Sequence, residues 1–253
     1  MDVSIDTKAS SCPKHGDFES KAIRLLGRVM GWSGCPQCLQ LCDDTRAAER
    51  RAAEEKARQE RLESALDRAG IPRRFRAKTF DSFEADTTAK ADCLRIAMEF
   101  VNDFHARHSA GETMVFSGRP GTGKSHLAIA ICHAIMGAGY TALYINALDV
   151  IGMIRSTWRK DGERTESDVL RELTAVDLLV IDEVGVQYGT DGEKVILFDI
   201  INRRYQDQRP MVLLTNQGRE GLKTYLGDRA FDRLREAGRW VPFDWESWRG
   251  NAA

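Results

Sequence analysis

The sequence predicts an α/β protein in which a parallel sheet is flanked by helices, preceded by a small cysteine-rich module and a linking helix. Three observations support this fold. From about residue 75 onward, short apolar segments alternate with helical patterns, as in parallel sheets that helices cover on both faces. A glycine-rich segment at 118–125 separates an apolar strand from a helix. The strand predicted at 176–181 ends in two adjacent carboxylates, Asp182 and Glu183.

Length and composition narrow the class of protein. The 253 residues suffice for one full domain plus a smaller unit, and the formal net charge of −1 provides no overall basic field for nucleic acid. No apolar run approaches the roughly 20 residues that cross a bilayer. The N-terminus, with Asp2, Asp6 and Lys8, does not resemble a signal peptide. We therefore expect a cytoplasmic protein without membrane contact, in which Cys93 and Cys132 are buried thiols.

The first 42 residues contain four of the six cysteines. Cys12-Pro-Lys-His15 and Cys35-Pro-Gln-Cys38 form two pairs, and in a reducing compartment such pairs favour metal over disulfides. We expect a zinc-ribbon-like module over 1–42, with a structural Zn²⁺ held by three thiolates and one imidazole. Cys42 is the alternative fourth ligand if His15 does not bind. Zn²⁺ would supply folding energy to so small a segment, and the opposing interpretation is a tail of unliganded cysteines.

The next region, 43–70, is predicted to be a charged helical linker. Residues 43–69 contain no Gly or Pro and are rich in Ala, Arg and Glu, which favours a long, solvated helix. The break at Gly70-Ile71-Pro72 ends it. The remaining residues, 71–253, form the predicted α/β domain, with a helix over 89–106. Strands are predicted at 113–117, 140–145, 176–181, 211–214 and 239–243.

The loop Gly118-Arg-Pro-Gly-Thr-Gly-Lys-Ser125 has the composition of a phosphate-binding loop. Its glycines allow successive N–H groups to turn toward an anion at a helix N-terminus. Lys124 adds a cation for the β- and γ-phosphates, and Ser125 supplies a hydroxyl for Mg²⁺. The chain is therefore expected to bind a nucleoside triphosphate. The predicted nucleotide-binding residues are Gly118, Pro120, Gly121, Thr122, Gly123, Lys124, Ser125, His126 and Asp182.

Further polar residues complete a candidate catalytic site. Asp182 is expected to bind Mg²⁺ together with Ser125, and Glu183 to polarise the water that attacks the γ-phosphate. Asn216, after the strand at 211–214, either orients that water or caps a turn. Arg229 and Arg233 share one helix face; they either stabilise transition-state charge on a phosphate or belong to an ordinary amphipathic helix.

Together these motifs resemble those of the AAA+ ATPases, and more narrowly the DnaC family of replicative helicase loaders. The resemblance runs from about Gly70 to Arg249 and includes the Ile-Asp-Glu strand, the Leu-Thr-Asn strand and the Gly-Asp-Arg-Ala-Phe-Asp-Arg-Leu-Arg box. It implies ATP as the nucleotide and Asn216 as sensor 1. It also implies that Arg229 is the arginine finger that completes a neighbouring subunit's site, with Arg233 as the second arginine of the box. The family's task is to hold a ring-shaped helicase open while single-stranded DNA enters.

Residues 153–160 are a candidate DNA contact. Trp158 lies among the cations Arg155, Arg159 and Lys160, a mixture suited to base stacking and phosphate contact. In loader-like AAA+ proteins an added helix here faces single-stranded DNA. The alternative is a solvated amphipathic helix with Trp158 packed inward.

The leading hypothesis is an ATP-dependent DNA replication protein that assembles through its AAA+ domain on single-stranded DNA. It would bind a replicative helicase hexamer through the zinc module and the linking helix. The second hypothesis is an IstB-like transposition helper ATPase that acts with a transposase on duplex DNA. A third is a nucleotide-dependent regulator or adaptor with little turnover.

Overall fold

The computed structural model describes residues 6–25, 28–158, 164–186 and 190–248, without the side chains of residues 58, 59, 61 and 62. The chain divides into two compact units, Met1–Glu63 and Ser64–Ala253. Within the described ranges, no helix is both long enough and apolar enough to cross a membrane. The division between the units falls inside a helix, seven residues before the predicted start of the α/β domain at residue 71.

The N-terminal unit contains a three-stranded antiparallel sheet in the order β1-β2-β3. Its strands span Thr7–Cys12 (β1), Gly16–Leu25 (β2) and Arg28–Trp32 (β3). A tight turn joins β1 to β2, and Gly16 closes it opposite Cys12 with a φ of 79°. Glycine adopts this left-handed conformation without steric cost. The hairpin thus brings His15, at the turn, next to the end of β1.

Helix α1 spans Pro36–Arg68, so it begins seven residues before the predicted linker. Proline suits the first helical position, where its missing N–H costs no hydrogen bond. The predicted break is present: Gly70 has a φ of 68° and ends the helix, as glycine commonly does. Leu66, Ala69 and Ile71 are buried in the core of the larger unit, which explains why that unit begins before the break.

The larger unit is built on a five-stranded sheet in the order β5-β6-β7-β4-β8. All neighbouring strands are parallel, as predicted. The strands span Thr113–Gly118 (β4), Ala142–Asn146 (β5), Leu178–Val184 (β6), Met211–Thr215 (β7) and Gly238–Phe243 (β8). Each lies within two or three residues of its predicted bounds. The carboxyl ends of these strands meet at one edge of the sheet.

Helices cover both faces of this sheet. They span Thr88–Asn102 (α2), Phe104–Ala110 (α3), Lys124–Gly137 (α4), Ala147–Thr157 (α5), Glu166–Ala175 (α6), Asp191–Gln206 (α7), Arg219–Leu226 (α8) and Asp228–Ala237 (α9), with a 3-10 turn at Arg73–Phe75. The single helix predicted over 89–106 is wrong in extent, because Asp103 leaves the helical conformation with a ψ of 17°. The bend places the Phe104 ring 5.7 Å from that of Phe100 and 4.9 Å from that of Tyr140.

The core consists of two apolar layers, one on each face of the sheet. Successive strand residues alternate between them: Met114 and Phe116 belong to one layer and Val115 to the other. Both layers are closed to solvent, which explains the nearly continuous apolar strands in the sequence. Cys93 and Cys132 are buried in the first layer, as predicted, and burial raises the pKa of the Cys132 thiol to about 12.

Candidate functional site

The predicted phosphate loop joins the end of β4 to the start of α4. Gly121 and Gly123 have φ values of 80° and 94°, a region that favours glycine. A Cβ on Gly123 would lie 2.7 Å from the Phe83 ring. Lys124 is the first residue of α4, so the loop leads directly into a helix N-terminus. Backbone N–H groups at such a position attract an anion.

The Lys124 ammonium is largely buried and lies where the loop meets β7. Its Nζ donates to the carbonyl oxygens of Gly118 at 2.7 Å and Arg119 at 2.8 Å, and to Asn216 Oδ1 at 2.9 Å. Asn216 directly follows β7. Two predicted site residues that are 92 positions apart in sequence are therefore in direct contact.

The Asp182 carboxylate on β6 is 8% exposed and accepts three hydrogen bonds. Oδ2 accepts from Ser125 Oγ at 2.8 Å and from the Tyr144 hydroxyl, and Oδ1 accepts from the Glu183 N–H at 2.7 Å. Burial, reinforced by the nearby Asp182 charge, raises the pKa of Tyr144 far above its usual value, so the phenol keeps its proton. Hydroxyl and carboxylate oxygens are the ligands that Mg²⁺ prefers, so Ser125 and Asp182 suit that ion.

Glu183 has an unusual backbone conformation. Its φ of 59° lies in the left-handed region, which costs a non-glycine residue about 1–3 kcal/mol. Its side chain is exposed, and Oε2 accepts a hydrogen bond from Asn146 Nδ2 at the end of β5. Such strain persists where the surrounding structure enforces it, often at functional sites.

Sequence reasoning missed Tyr144 and Asn146. Asn146 is the last residue of β5 and Tyr144 lies two residues before it, and the register pairs Asn146 with Asp182. Polar side chains at the end of a strand parallel to the acidic strand were the available signal. A cavity of about 480 Å³ opens beside these groups. Its lining includes Gly70, Pro72, Phe75, Ser125, Leu143, Tyr144, Ile145, Asn146, Asp149, Asp182 and Glu183.

The other loop residues occupy varied positions. Pro120 is exposed at the tip of the loop, and Thr122 is buried, with Oγ1 donating to Arg119 O at 2.8 Å. His126 Nε2 lies 2.9 Å from Thr79 O and 3.1 Å from Ser82 Oγ. Burial lowers the pKa of this imidazole. His126 thus contacts the segment before α2, and its predicted contact with nucleotide stays a prediction.

The two predicted arginines differ in their surroundings. Arg229 is exposed in the first turn of α9, and its side chain makes no ion pair or hydrogen bond with another described residue. The Arg233 guanidinium lies 4.6 Å from the centre of the Tyr205 ring on α7, a cation–π contact. Among the residues that the structure covers, neither arginine contacts Lys124, Asp182 or the other predicted nucleotide-binding residues. Their catalytic roles stay predictions.

The candidate DNA segment is only partly described, because Arg159 and Lys160 lie outside the described residues. Trp158 is 59% exposed, and its Nε1 donates to Glu166 Oε2 at 2.9 Å. The alternative that Trp158 packs inward is therefore wrong. Arg155 forms an ion pair with the buried Glu193 carboxylate at 3.2 Å. DNA contact by these residues stays a prediction.

The candidate metal centre lies in the N-terminal unit. The ligand atoms of Cys12, His15, Cys35 and Cys38 all lie within 4.8 Å of one another. The Cys12 and Cys38 sulfurs are 3.6 Å apart, and His15 Nδ1 lies 3.7, 3.6 and 3.3 Å from the sulfurs of Cys12, Cys35 and Cys38. Tetrahedral Zn²⁺, with Zn–S of about 2.3 Å and Zn–N of about 2.0 Å, requires separations of about 3.8 and 3.5 Å. The donor set and spacing fit zinc.

The geometry favours His15 over Cys42 as the fourth ligand. Cys42 lies one turn beyond Cys38 on α1, is exposed and does not belong to the group. Backbone N–H groups of Lys14 and His15 lower the pKa of Cys12 to about 6. At Cys12 this favours the thiolate, which is the form that binds a metal, whereas the hydrogen bond with Cys12 raises the pKa of Cys38 to about 11.

Comparison with known proteins gives matches in sequence and fold. A family described as IstB-like ATP binding protein matches residues 47–252. The replicative helicase loader DnaC of Escherichia coli (strain K12) is 36% identical over 193 residues, 76% of this chain and 77% of DnaC. YdaV of the same strain, an uncharacterized protein, is 38% identical over 195 residues, 77% of each chain. A crystal structure of the DnaC helicase loader matches with a TM-score of 0.61 at 21% identity, covering 68% of this chain and 99% of the other, and supports the fold.

Proposed function

This chain belongs to the DnaC and IstB-like family of AAA+ ATPases, and from that membership we propose that it is an ATP-dependent loader that places a replicative helicase on single-stranded DNA. The observation that carries the proposal is the convergence of Lys124, Ser125, Asp182 and Asn216 at the carboxyl edge of the sheet. That arrangement suits a triphosphate with its metal. The relatives named as replicative helicase loaders support a replicative helicase as the protein partner.

In the proposed reaction, loop N–H groups and Lys124 bind the phosphates of ATP. Ser125 and Asp182 would hold Mg²⁺, which neutralises phosphate charge when bound. Glu183 accepts the proton of the attacking water. Asn216, already bonded to the Lys124 ammonium, orients that water beside the γ-phosphate. The Tyr144 hydroxyl holds Asp182 in place.

Assembly is proposed to complete the site. Arg229 is exposed on α9 and makes no contact with the nucleotide-binding residues of its own chain among those described. We assign it to the site of an adjacent copy, where its guanidinium stabilises transition-state charge on the γ-phosphate. The isolated chain would then hydrolyse ATP slowly, and assembly on DNA would increase the rate. Arg233 would act in the same interface.

The N-terminal unit is proposed to bind the helicase. It exposes seven large apolar side chains, here called the apolar set: Ile23, Leu25, Val29, Met30, Trp32, Leu39 and Leu41. Exposed apolar groups at this density are typical of protein-binding surfaces. Zn²⁺, held by the four cysteine and histidine ligands, would stabilise the sheet and the first turns of α1, which present these side chains. The binding of single-stranded DNA is assigned to a different region, the segment that contains Arg155, Trp158, Arg159 and Lys160.

A transfer assay tests the loader function. The full-length chain is mixed with the hexameric replicative helicase of its source, ATP and circular single-stranded DNA, and helicase bound to the circle is measured. We expect transfer that requires ATP and is lost with Lys124→Ala. An absence of helicase contact, combined with tight binding to duplex DNA and a transposase, would instead support the IstB-like function.

A further inference from the structure

The segment that begins at the last residue of β8 contacts the phosphate loop at three points. Residues 243–248, here called the strap, begin where Phe243 pairs with Gly118 in the β4–β8 ladder. The Trp245 indole Nε1 donates to the carbonyl oxygen of Thr122 at 3.1 Å. The backbone N–H of Trp248 donates to the carbonyl oxygen of Gly121 at 3.0 Å. One short segment thus contacts the loop at its first residue and at the carbonyl groups of two consecutive residues, Gly121 and Thr122.

The strap is itself anchored on both sides of these contacts. The Phe243 ring is fully buried, and the Trp245 ring packs on it with centroids 5.1 Å apart. The Trp248 indole Nε1 donates to Glu84 Oε2 at 3.1 Å. Because both ends of the strap are held by side chains, its two donors occupy defined positions relative to the loop.

These bonds determine the direction of two loop N–H groups. In a planar trans peptide the C=O and N–H of one unit point in opposite directions. The Gly121 carbonyl shares its peptide with the Thr122 N–H, and the Thr122 carbonyl shares its peptide with the Gly123 N–H. A carbonyl held by the strap therefore turns the paired N–H away from it. Successive N–H groups that point to one side form the concavity that binds an anion.

We propose that the strap presets the phosphate loop for polyphosphate binding, with Trp245 and the backbone N–H of Trp248 as positioning groups. This inference rests on the proposed binding of ATP. Without these donors the Gly121–Gly123 peptides can rotate, and binding has to order them again. The strap thus increases the affinity of the loop for the phosphate chain by holding it in its binding conformation. It does so without direct contact between either indole and the bound nucleotide.

The first test removes one donor and retains the ring. Trp245→Phe keeps an aromatic ring on Phe243 but lacks the indole N–H. The control, Trp240→Phe, makes the same change within β8, where Trp240 packs on Arg219. Affinities for Mg²⁺–ATP and for tripolyphosphate are measured by calorimetry. We expect Trp245→Phe to weaken both by about 3- to 10-fold, as for the loss of one hydrogen bond, and to lower the melting temperature by no more than about 2–4 °C. Trp240→Phe should bind as the wild type does.

The second test isolates the backbone donor. Trp248→Ala and Trp248→Pro both remove the indole, but only proline removes the N–H. We expect the proline variant to bind tripolyphosphate at least about 3-fold more weakly than the alanine variant. The strap proposal would be overturned if all variants bound with the affinity of the wild type. It would also be overturned if the variants lost affinity for ATP only and bound tripolyphosphate as the wild type does. Weakened tripolyphosphate binding in the variants, together with a wild-type chain that transfers no helicase, would support the strap proposal and contradict the loader function.

Discussion

Asn146 Nδ2 donates a hydrogen bond to Glu183 Oε2, across the two neighbouring strands β5 and β6. The Oδ1 atom of the same Asn146 side chain accepts from the Leu148 N–H at 2.9 Å and caps α5. One amide therefore both starts a helix and holds the proposed catalytic carboxylate. A base held by a donor is less free to accept a proton from water, so this contact is expected to limit hydrolysis.

We predict that Asn146→Ser increases basal ATP hydrolysis by about 2- to 5-fold, because serine keeps a capping oxygen but is too short to reach Glu183. ATP affinity should not change, since Asn146 lies beside the base and not in the phosphate loop. Steady-state phosphate release and equilibrium nucleotide binding measure the two effects. A slower rate would show that the contact positions the base productively, and an unchanged rate would show that it does not limit hydrolysis.

Glu183→Gln tests the base itself. The amide keeps the size of the side chain but cannot accept the proton of water, so hydrolysis should fall by about 100-fold or more. Nucleotide affinity should be retained because Lys124 and the loop are unchanged. Glu172→Gln, at an exposed ion pair with Arg164, is the matched control and should hydrolyse ATP normally. Undiminished turnover in Glu183→Gln would remove this residue as the base.

The composite site predicts complementation between two inactive variants. Lys124→Ala lacks the ammonium that binds the phosphates, and Arg229→Ala lacks the guanidinium supplied to the adjacent copy. Each variant alone should therefore lose assembly-stimulated hydrolysis. In a 1:1 mixture, about a quarter of the interfaces combine an intact Lys124 with an intact Arg229. Activity should recover in that proportion. Arg235→Ala, at an exposed ion pair with Asp232 on the same helix, should have no effect. An inactive mixture would argue against delivery between subunits.

The metal centre makes a separate prediction. Cys38→Ser removes a ligand from the four-residue group, so the purified chain should lose its zinc and the three-stranded sheet should unfold. Cys42→Ser, four residues further along α1, should keep one zinc per chain. Metal analysis and far-ultraviolet circular dichroism measure both outcomes. ATP binding should persist in either variant because every predicted nucleotide-binding residue lies in Ser64–Ala253. The absence of zinc from wild-type chain purified without a chelator would contradict the assignment.

Local sequence patterns account for most of the fold and for the groups of the candidate site. Continuous apolar strands and the loop before Lys124 predict the sheet and the phosphate loop, because strand burial and glycine conformations are local properties. Tyr144 and Asn146 could not be identified in this way, since their contacts depend on β5 lying beside β6 in one register.

The same limit applies to the strap. The contact of Trp245 with Thr122 joins residues 123 positions apart, and nothing in the local sequence of either one indicates it. The break at Asp103 was missed for a related reason. The apolar periodicity of the segment continues through it, and only the packing of Phe104 against Tyr140 explains the bend.

The apolar set predicts where the helicase binds. Leu25 and Met30 are 63% and 69% exposed, so replacing either with serine should change the free energy of unfolding by no more than about 0.5 kcal/mol. If the helicase covers these side chains, Leu25→Ser and Met30→Ser together should weaken its binding by about 10-fold or more, because buried apolar contacts dominate interface energies. Lys8→Ser, at an exposed polar position on β1, is the control and should bind normally. Zinc content and ATP hydrolysis should match the wild type in all variants, since the substitutions lie outside both ligand sets. Full helicase affinity in the double variant would exclude Leu25 and Met30 as contacts and direct the search to α1, which carries Leu39 and Leu41 of the set.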